Sequence, residues 1–208
     1  GVVNAAEDAD VLVAGTGAEA NATIDVSIDD SNGATPAATA QVTANGSGVW
    51  TLSGSALDVT GLDEGSLTVS VTQTDAAGNT STAATESITY DATANAPTIT
   101  TPIEGDDIVN AAEDADVLVA GTGAEANATI DVSIDDSNGA TPAATAQVTA
   151  NGSGVWTLSG SALDVTGLDE GSLTVSVTQT DAAGNTSTAA TESITYDATA
   201  NAPTITTP

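Results

Sequence analysis

Residues 129–135 read TIDVSID, with Ile130, Val132 and Ile134 alternating with Thr129, Asp131, Ser133 and Asp135. Successive side chains of an extended chain point to opposite faces, so a period of two marks a strand with one face buried and one wet. The pattern returns at 172–180, SLTVSVTQT, where Leu173, Val175 and Val177 share one face. Five further short apolar runs lie at 98–103, 117–121, 146–150, 155–159 and 192–197. Between them stand the turn signals DDSNG (135–139), NGSG (151–154), GLDEG (167–171) and DAAGN (181–185). NGSG predicts a tight hairpin from the fourth strand to the fifth. Seven short strands about ten residues apart predict an all-β immunoglobulin-like sandwich. The chain has no cysteine, so the disulfide of antibody domains is absent. Trp156, in VWTLS, is the expected plug of a core otherwise built from small aliphatic residues. The Ala-rich NAAEDAD at 110–116 is too short to read as a helix between strands.

The whole pattern occurs twice. Residues 3–102 recur as 109–208 without a substitution, at a spacing of 106. That period is too long for a solenoid repeat and fits a small domain in tandem. The predicted division is 1–96 for a first domain that lacks its opening strand, 97–202 for a complete second domain, and 203–208 for the start of a third. The tail is expected either to project or to complete the sheet of a neighbouring chain.

The chain carries 29 Asp and Glu and no Lys, Arg or His, a formal charge of −29 over 208 residues. Nucleic acid and anionic membrane surfaces both need cationic side chains, so neither is an expected partner. No apolar run reaches the roughly 18 residues of a membrane span. Apolar residues make up 40% of the chain, more than disordered acidic sequences carry. Folding is nonetheless expected to depend on an outside cation. Two carboxylates about 5 Å apart at an effective dielectric near 20 repel by roughly 3 kcal/mol, against a whole-domain stability of about 5–15 kcal/mol.

The acids concentrate in loops. Residues 90–116 hold Asp91, Glu104, Asp106, Asp107, Glu113, Asp114 and Asp116. Strand alternation sorts the loops of the second domain between two ends. One end receives Glu104, Asp106, Asp107, Glu113, Asp114, Asp135, Asp136, Asp169, Glu170 and Asp197; the other receives Glu125 and Asp181. In tandem, Asp91 of the first domain is then expected to approach Asp181 of the second. Calcium takes six to eight oxygens from carboxylates, carbonyls and water, which loops supply. The candidate ligands are Asp91, Glu104, Asp106, Asp107, Asn110, Glu113, Asp136, Asp169, Asp181 and Asp197, with Asn4, Glu7 and Asp75 in the first domain. Neither the EF-hand spacing nor a glycine-rich nonapeptide is present. For DAAGN a second reading stands beside metal contact, in which Asp181 and Asn185 only hydrogen-bond the backbone of a turn.

DDIVNAAED at 106–114, DAAGN at 181–185 and YDATANAPTIT at 90–100 resemble the bacterial Ig-like extender repeats of giant calcium-dependent RTX adhesins. The resemblance covers the whole chain. It implies a β-sandwich in a long array, secreted by a type I system, held at the cell surface and stiffened by calcium. It further implies ligand roles for Asp91, Glu104, Asp106, Asp107, Asn110, Glu113 and Asp181. The first domain keeps Asn4, Glu7 and Asp75 but has no counterpart of Glu104 or Asp106, so its site there is expected to be weak or empty. The expected partners are neighbouring identical repeats, with the chain otherwise monomeric. A ligand-binding surface, lectin-like or ice-binding, is the alternative; with four aromatic residues and no long regular Thr array it has little to work with. Without His, Cys, Lys or Arg, nucleophilic triads and Schiff bases are out of reach, so an enzyme is not expected.

Overall fold

The computed structural model describes residues 1–35, 37–52, 57–139, 141, 143–158 and 163–206. The chain forms two compact units, Gly1–Thr93 and Ala94–Pro208.

The first unit contains β1 (Val2–Val3), β2 (Ala14–Gly15), β3 (Thr23–Asp29), β4 (Ala38–Thr43), β5 (Trp50–Thr51), β6 (Gly65–Thr74) and β7 (Ala84–Tyr90). One sheet runs β1-β7-β6-β3-β4, and β2 pairs with β5 in the other. The second unit contains β8 (Thr98–Ile99), a 3-10 turn at Ile103–Gly105, β9 (Ile108–Val109), β10 (Ala120–Thr122), β11 (Thr129–Asp135), β12 (Ala144–Thr149), β13 (Trp156–Thr157), β14 (Gly171–Thr180) and β15 (Ala190–Tyr196). Its sheets run β12-β11-β14-β15-β9 and β13-β10-β8. Pairing is antiparallel except where β9 lies parallel to β15 and β1 parallel to β7. Each unit is an immunoglobulin-like β-sandwich.

The alternating strands behave as their period dictates. In β11 the buried residues are Ile130, Val132 and Ile134, and in β14 they are Leu173, Val175, Val177 and Gln179. Val132 faces Val177 across the β11–β14 ladder, and Ile134 faces Val175. Val117, Val119, Leu158, Leu163 and Val165 close the core from the other side, all fully buried. Trp156 is the plug, 2% exposed. Its ring lies against Gly121, where a Cβ would collide with both the indole and the Thr98 carbonyl. The Trp156 indole nitrogen is buried without a hydrogen-bond partner, which marks the ring as space-filling.

Several expectations change in detail. The first strand, expected over 98–103, spans only Thr98–Ile99, with one further bond from Thr100 N–H to Ala120 O; Pro102 has no N–H to donate, and the chain turns at Ile103–Gly105. Two strands expected to be longer, at 117–121 and 155–159, shrink to Ala120–Thr122 and Trp156–Thr157. Val117, Val119 and Leu158 still face the core, whereas Leu118 and Val155 are exposed; Ser159 lies outside the described residues. The run at 146–150 begins earlier, at Ala144, and the last strand spans Ala190–Tyr196. NGSG forms a tight turn, with Asn151 N–H donating to Val155 O at 2.8 Å, but not a hairpin. Strand β13 joins β10 in the opposite sheet instead of β12. An eighth strand, β9, interrupts what the sequence presents as one acidic loop.

Candidate metal-binding loops

At one end of the second sandwich, Asp136 sits just after β11 and Asp169 just before β14. Asn138 joins them: its side-chain amide donates to Asp136 Oδ2 at 3.1 Å and to an Asp169 oxygen. Asp169 N–H donates to Asp136 Oδ2 at 2.9 Å, and Asn138 N–H to Oδ1 at 3.0 Å. These donors, the Asp169 N–H foremost, hold the Asp136 carboxyl below the usual carboxylate range. Glu170 accepts from Ala198 N–H at 3.0 Å and from the Thr199 hydroxyl at 2.9 Å, so it fastens the chain leaving β15. Tyr196, 5% exposed, donates its hydroxyl to Asp114 at 3.1 Å. Burial, then this bond, pushes the phenol up. The loops that strand alternation assigns to one end therefore do meet there.

The acids around β9 work mainly on the backbone. Glu104 accepts from Leu118 N–H. Asp107 Oδ1 accepts from Ile103 N–H at 2.7 Å, and Asp106 Oδ1 from Ile108 N–H at 3.1 Å. Asn110 and Glu113 form a reciprocal cap: Ala112 N–H donates to Asn110 Oδ1 at 2.9 Å, and Asn110 N–H to Glu113 Oε2 at 3.1 Å. Asn4 and Glu7 repeat this cap in the first unit, at 2.9 and 3.3 Å. Asp197 is exposed, its N–H donating to Val109 O at 2.9 Å, and Asp91 N–H donates likewise to Val3 O. Among the described residues, no three carboxylates of a single unit bring oxygens within 4.8 Å of one another. The dense run 104–113 is thus spread along a turn rather than gathered around one point.

The opposite end of the second sandwich is sparser in acid and tighter. Asp181, 7% exposed, accepts from Gly184 N–H at 2.7 Å, Asn185 N–H at 2.9 Å and the Asn185 amide at 2.9 Å. This is the turn that DAAGN predicts. Glu125 follows β10, and its N–H donates to Gln179 Oε1 at 2.8 Å. Glu125 Oε1 in turn accepts from Gln179 Nε2 at 3.1 Å and from Asn95 N–H at 3.3 Å. Glu125 and Asp181 bring carboxylate oxygens within 4.8 Å of each other. Sequence reasoning places Glu125 at this end but does not select it as a ligand; the signal available was its lone acid in a loop opposite DAAGN. In the first unit, Asp75 repeats the turn, accepting from Ala77 and Asn79 N–H at 2.8 Å each. The Asn79 amide, then these N–H groups, lower its carboxyl.

Two carboxylates this close, one of them buried, in a chain with no cationic side chain suit a hard divalent cation. The donor set is all oxygen, and magnesium's tighter octahedral cage fits flexible loops less well than calcium.

The class defined by fold and sequence is a tandem of immunoglobulin-like β-sandwiches with acidic loops at the module ends. No family model and no curated protein matches the sequence. Solved structures do. A Ca2+-stabilized adhesin that helps an Antarctic bacterium reach out and bind ice is 29% identical, with a TM-score of 0.51 over 98% of this chain and 48% of that one. A 1.5-MDa bacterial ice-binding adhesin, solved for its retention at the host cell surface, is 27% identical, with a TM-score of 0.50 over 98% of this chain and 63% of that one. A tetra-tandem repeat from the extending region of a large adhesion protein is 27% identical over 90% of this chain and 45% of that one, with a TM-score of 0.45. This chain therefore spans between under half and under two-thirds of those structures. It resembles the repeats of large bacterial adhesins, the ice-binding adhesin among them, and that likeness supports a structural adhesin module. No helix among the described residues is long and apolar enough to cross a membrane.

Proposed function

We propose that this chain is a calcium-stabilised extender: a spacer that holds a distal adhesive domain away from a bacterial cell after secretion by a type I system. The observation that carries the reading is the Glu125–Asp181 pair, with oxygens within 4.8 Å and no Lys, Arg or His anywhere to neutralise it. The exact repetition of residues 3–102 supports it too, because a spacer works from any position in an array whereas a catalyst gains nothing from identical copies. Glu125 and Asp181 would hold the ion at that end. The linker acid Asp91 is proposed as a further ligand. Asp136, Asp169 and Asp197, with Glu104, Asp106, Asp107, Asn110 and Glu113, are proposed as oxygen donors at the other end, and Asn4, Glu7 and Asp75 in the first module. A bound divalent ion supplies positive charge that turns carboxylate repulsion into attraction.

The test is thermal melting followed by tryptophan fluorescence, with calcium and with chelator. Free calcium at about 100 times its dissociation constant adds about 2.7 kcal/mol per site, so chelation is expected to lower the midpoint by several degrees. Identical melts in calcium and chelator would remove the proposal. Asp181→Ala and Glu125→Ala should each shrink the calcium-dependent shift of the second module. Asp91→Ala should shrink it too while leaving the first module folded; an unchanged shift would take Asp91 out of the ligand set.

A further inference from the structure

Four asparagines stand directly before a glycine: Asn32, Asn45, Asn138 and Asn151. In such a pair no Cβ shields the following peptide nitrogen from the asparagine Cγ, and asparagine is among the thermolabile residues of proteins. Each module surrounds its two pairs differently. Asn151 opens the turn NGSG, and its Oδ1 accepts from Ser153 N–H at 2.9 Å and from Val155 N–H at 3.1 Å. Asn45 repeats this with Ser47 and Val49, at 2.8 and 3.1 Å. Both asparagines are exposed to water. Among the described residues, neither the Asn151 side-chain nitrogen nor the Gly152 N–H has a hydrogen-bond partner.

Asn138 is held by its nitrogen, which donates to Asp136 at 3.1 Å and to Asp169; Asn32 donates likewise to Asp30 at 3.0 Å and to Asp63. Donors on the amide oxygen do not separate the two kinds of site, because Asn32 Oδ1 accepts from Ala34 N–H at 2.7 Å. The carboxylates do. Attack on Cγ drives negative charge onto the amide oxygen. At Asn151 two N–H groups meet that charge and, among the described residues, no carboxylate bonds the side chain. At Asn138 the charge develops beside two carboxylates, and the nitrogen that must leave is tied to both. The glycines differ as well. Gly139 has a φ of +71° and Gly33 of +70°, so a side chain at either is strained. Gly46 and Gly152 lie outside the left-handed region, and a Cβ on either would meet nothing within 4 Å. Neither a left-handed backbone nor a close contact calls for glycine there.

We infer that Asn45 and Asn151 are sites of spontaneous deamidation in the folded protein and that Asn32 and Asn138 are protected from it. The Gly152 nitrogen attacks Asn151 Cγ and loses its proton to water or hydroxide. A C–N bond forms; the side-chain nitrogen takes up a proton, its bond to Cγ breaks, and it leaves as ammonia. Water then opens the resulting succinimide at either carbonyl and gives aspartate or isoaspartate. Gly154 O accepts from the N–H of Ala124, the neighbour of Glu125, at 3.2 Å. Each conversion at Asn151 therefore adds a carboxylate to the turn that abuts the Glu125 loop. Isoaspartate also lengthens the main chain of a turn closed by Asn151 N–H on Val155 O at 2.8 Å and by Gly154 N–H on Asn151 O at 2.9 Å. The reaction needs no metal and stands apart from the calcium proposal.

The test holds the chain, folded in calcium, at mildly alkaline pH and digests samples over time with an acid-directed protease. The two modules give identical peptides here, so Asn45 is read together with Asn151 and Asn32 with Asn138. No acid lies between Asn32 and Asn45, so fragmentation in the mass spectrometer assigns the amide-to-acid change to one or the other. Asn45 and Asn151 are expected to convert about tenfold faster than Asn32 and Asn138, a fraction of what one donor to a developing oxyanion contributes in an enzyme. The difference should disappear in denaturant, where both pairs lose their surroundings. Gly46→Ala combined with Gly152→Ala, shown to be folded by circular dichroism, should stop the fast conversion and leave the slow one. Equal rates in the folded chain, faster conversion at Asn32 and Asn138, or a difference that persists in denaturant would overturn the inference. So would a folded chain that converts at neither pair while the denatured chain converts at both.

Discussion

The two modules are a comparison made by the molecule itself. From Val3 and Val109 onward their sequences are identical, and β3, β4, β6 and β7 have the same lengths and registers as β11, β12, β14 and β15. The end where Asp30 and Asp63 meet Asn32 in one module is built as Asp136, Asp169 and Asn138 build it in the other. Exposure differs at the DAAGN turn, where Asp181 and Asn185 are buried and Asp75 and Asn79 are not, and along the flank facing β8. There the second module buries Val119, Val177 and Ile194, and the first leaves their counterparts partly open. The main sheet and the loop staples at the acidic end are therefore set by residues within each repeat. In the second module the segment ahead of it adds Ile99 and Ile103 to the core.

The largest expected effect falls on that segment. With one tryptophan per module, unfolding of each is read separately in Trp50→Phe and Trp156→Phe chains. The first module should unfold at lower denaturant than the second. Ile103→Ala empties a site that is 2% exposed. It should lower the second module's stability by about 2–5 kcal/mol and leave the first unmoved. A single shared transition, or an equal loss in both, would break the comparison.

What the sequence shows of this arrangement follows from period and turn chemistry. TIDVSID is read to the residue because three buried aliphatics alternate with polar residues and bracket one full strand. Val117 and Val119 mislead because both are fully buried, while the strand itself spans only Ala120–Thr122. Strand β9 escapes because two residues, Ile108 and Val109, give no period and stand between acids. Several candidate ligands also serve the backbone: Asp and Asn two residues before an N–H, as in Asp136 with Asn138 or Asn110 with Ala112, are turn-formers. Glu125 and Asp181 come together only through the fold, across 54 and more residues that no local pattern spans.

A smaller effect should be shared equally by the modules. Tyr90 donates its hydroxyl to Asp8 at 3.2 Å and Tyr196 to Asp114 at 3.1 Å. Tyr90→Phe and Tyr196→Phe should each cost their own module about 1.5 kcal/mol, the low end for a bond to a charged group. Burial first, then the carboxylate, raises both phenols above the ordinary value of 10.0. A raised folded value means that the stabilisation is fully present below pH 10 and is lost as pH rises through the folded value. Guanidinium titrations at pH 8 and above 10 should show the alkaline loss in the parent chain and less of it in either phenylalanine variant. An alkaline loss unchanged by both substitutions would detach it from these pairs.

The smallest effect tests the part of the comparison in which the modules agree. The Asp63 N–H bond foremost, then that of Asn32, lowers Asp30 from 3.8; the Asp169 and Asn138 bonds do the same for Asp136. A depressed folded value contributes stability above the unfolded value near 4 and loses it as pH falls through the folded value. Stability against pH in the parent chain alone does not isolate this, because protonating the other carboxylates relieves repulsion at the same time. The difference between the parent and Asp30→Asn, or between the parent and Asp136→Asn, cancels most of that background. Each difference should be measurable at pH 6 and shrink toward zero below pH 3, with the same profile in both modules, because the same donors surround both groups. Both carboxyls are open to solvent, so salt should reduce each difference alike. A profile present in the second module and absent in the first would mean that the entering segment shapes this end as well, and that the repeat does not build its acidic end on its own.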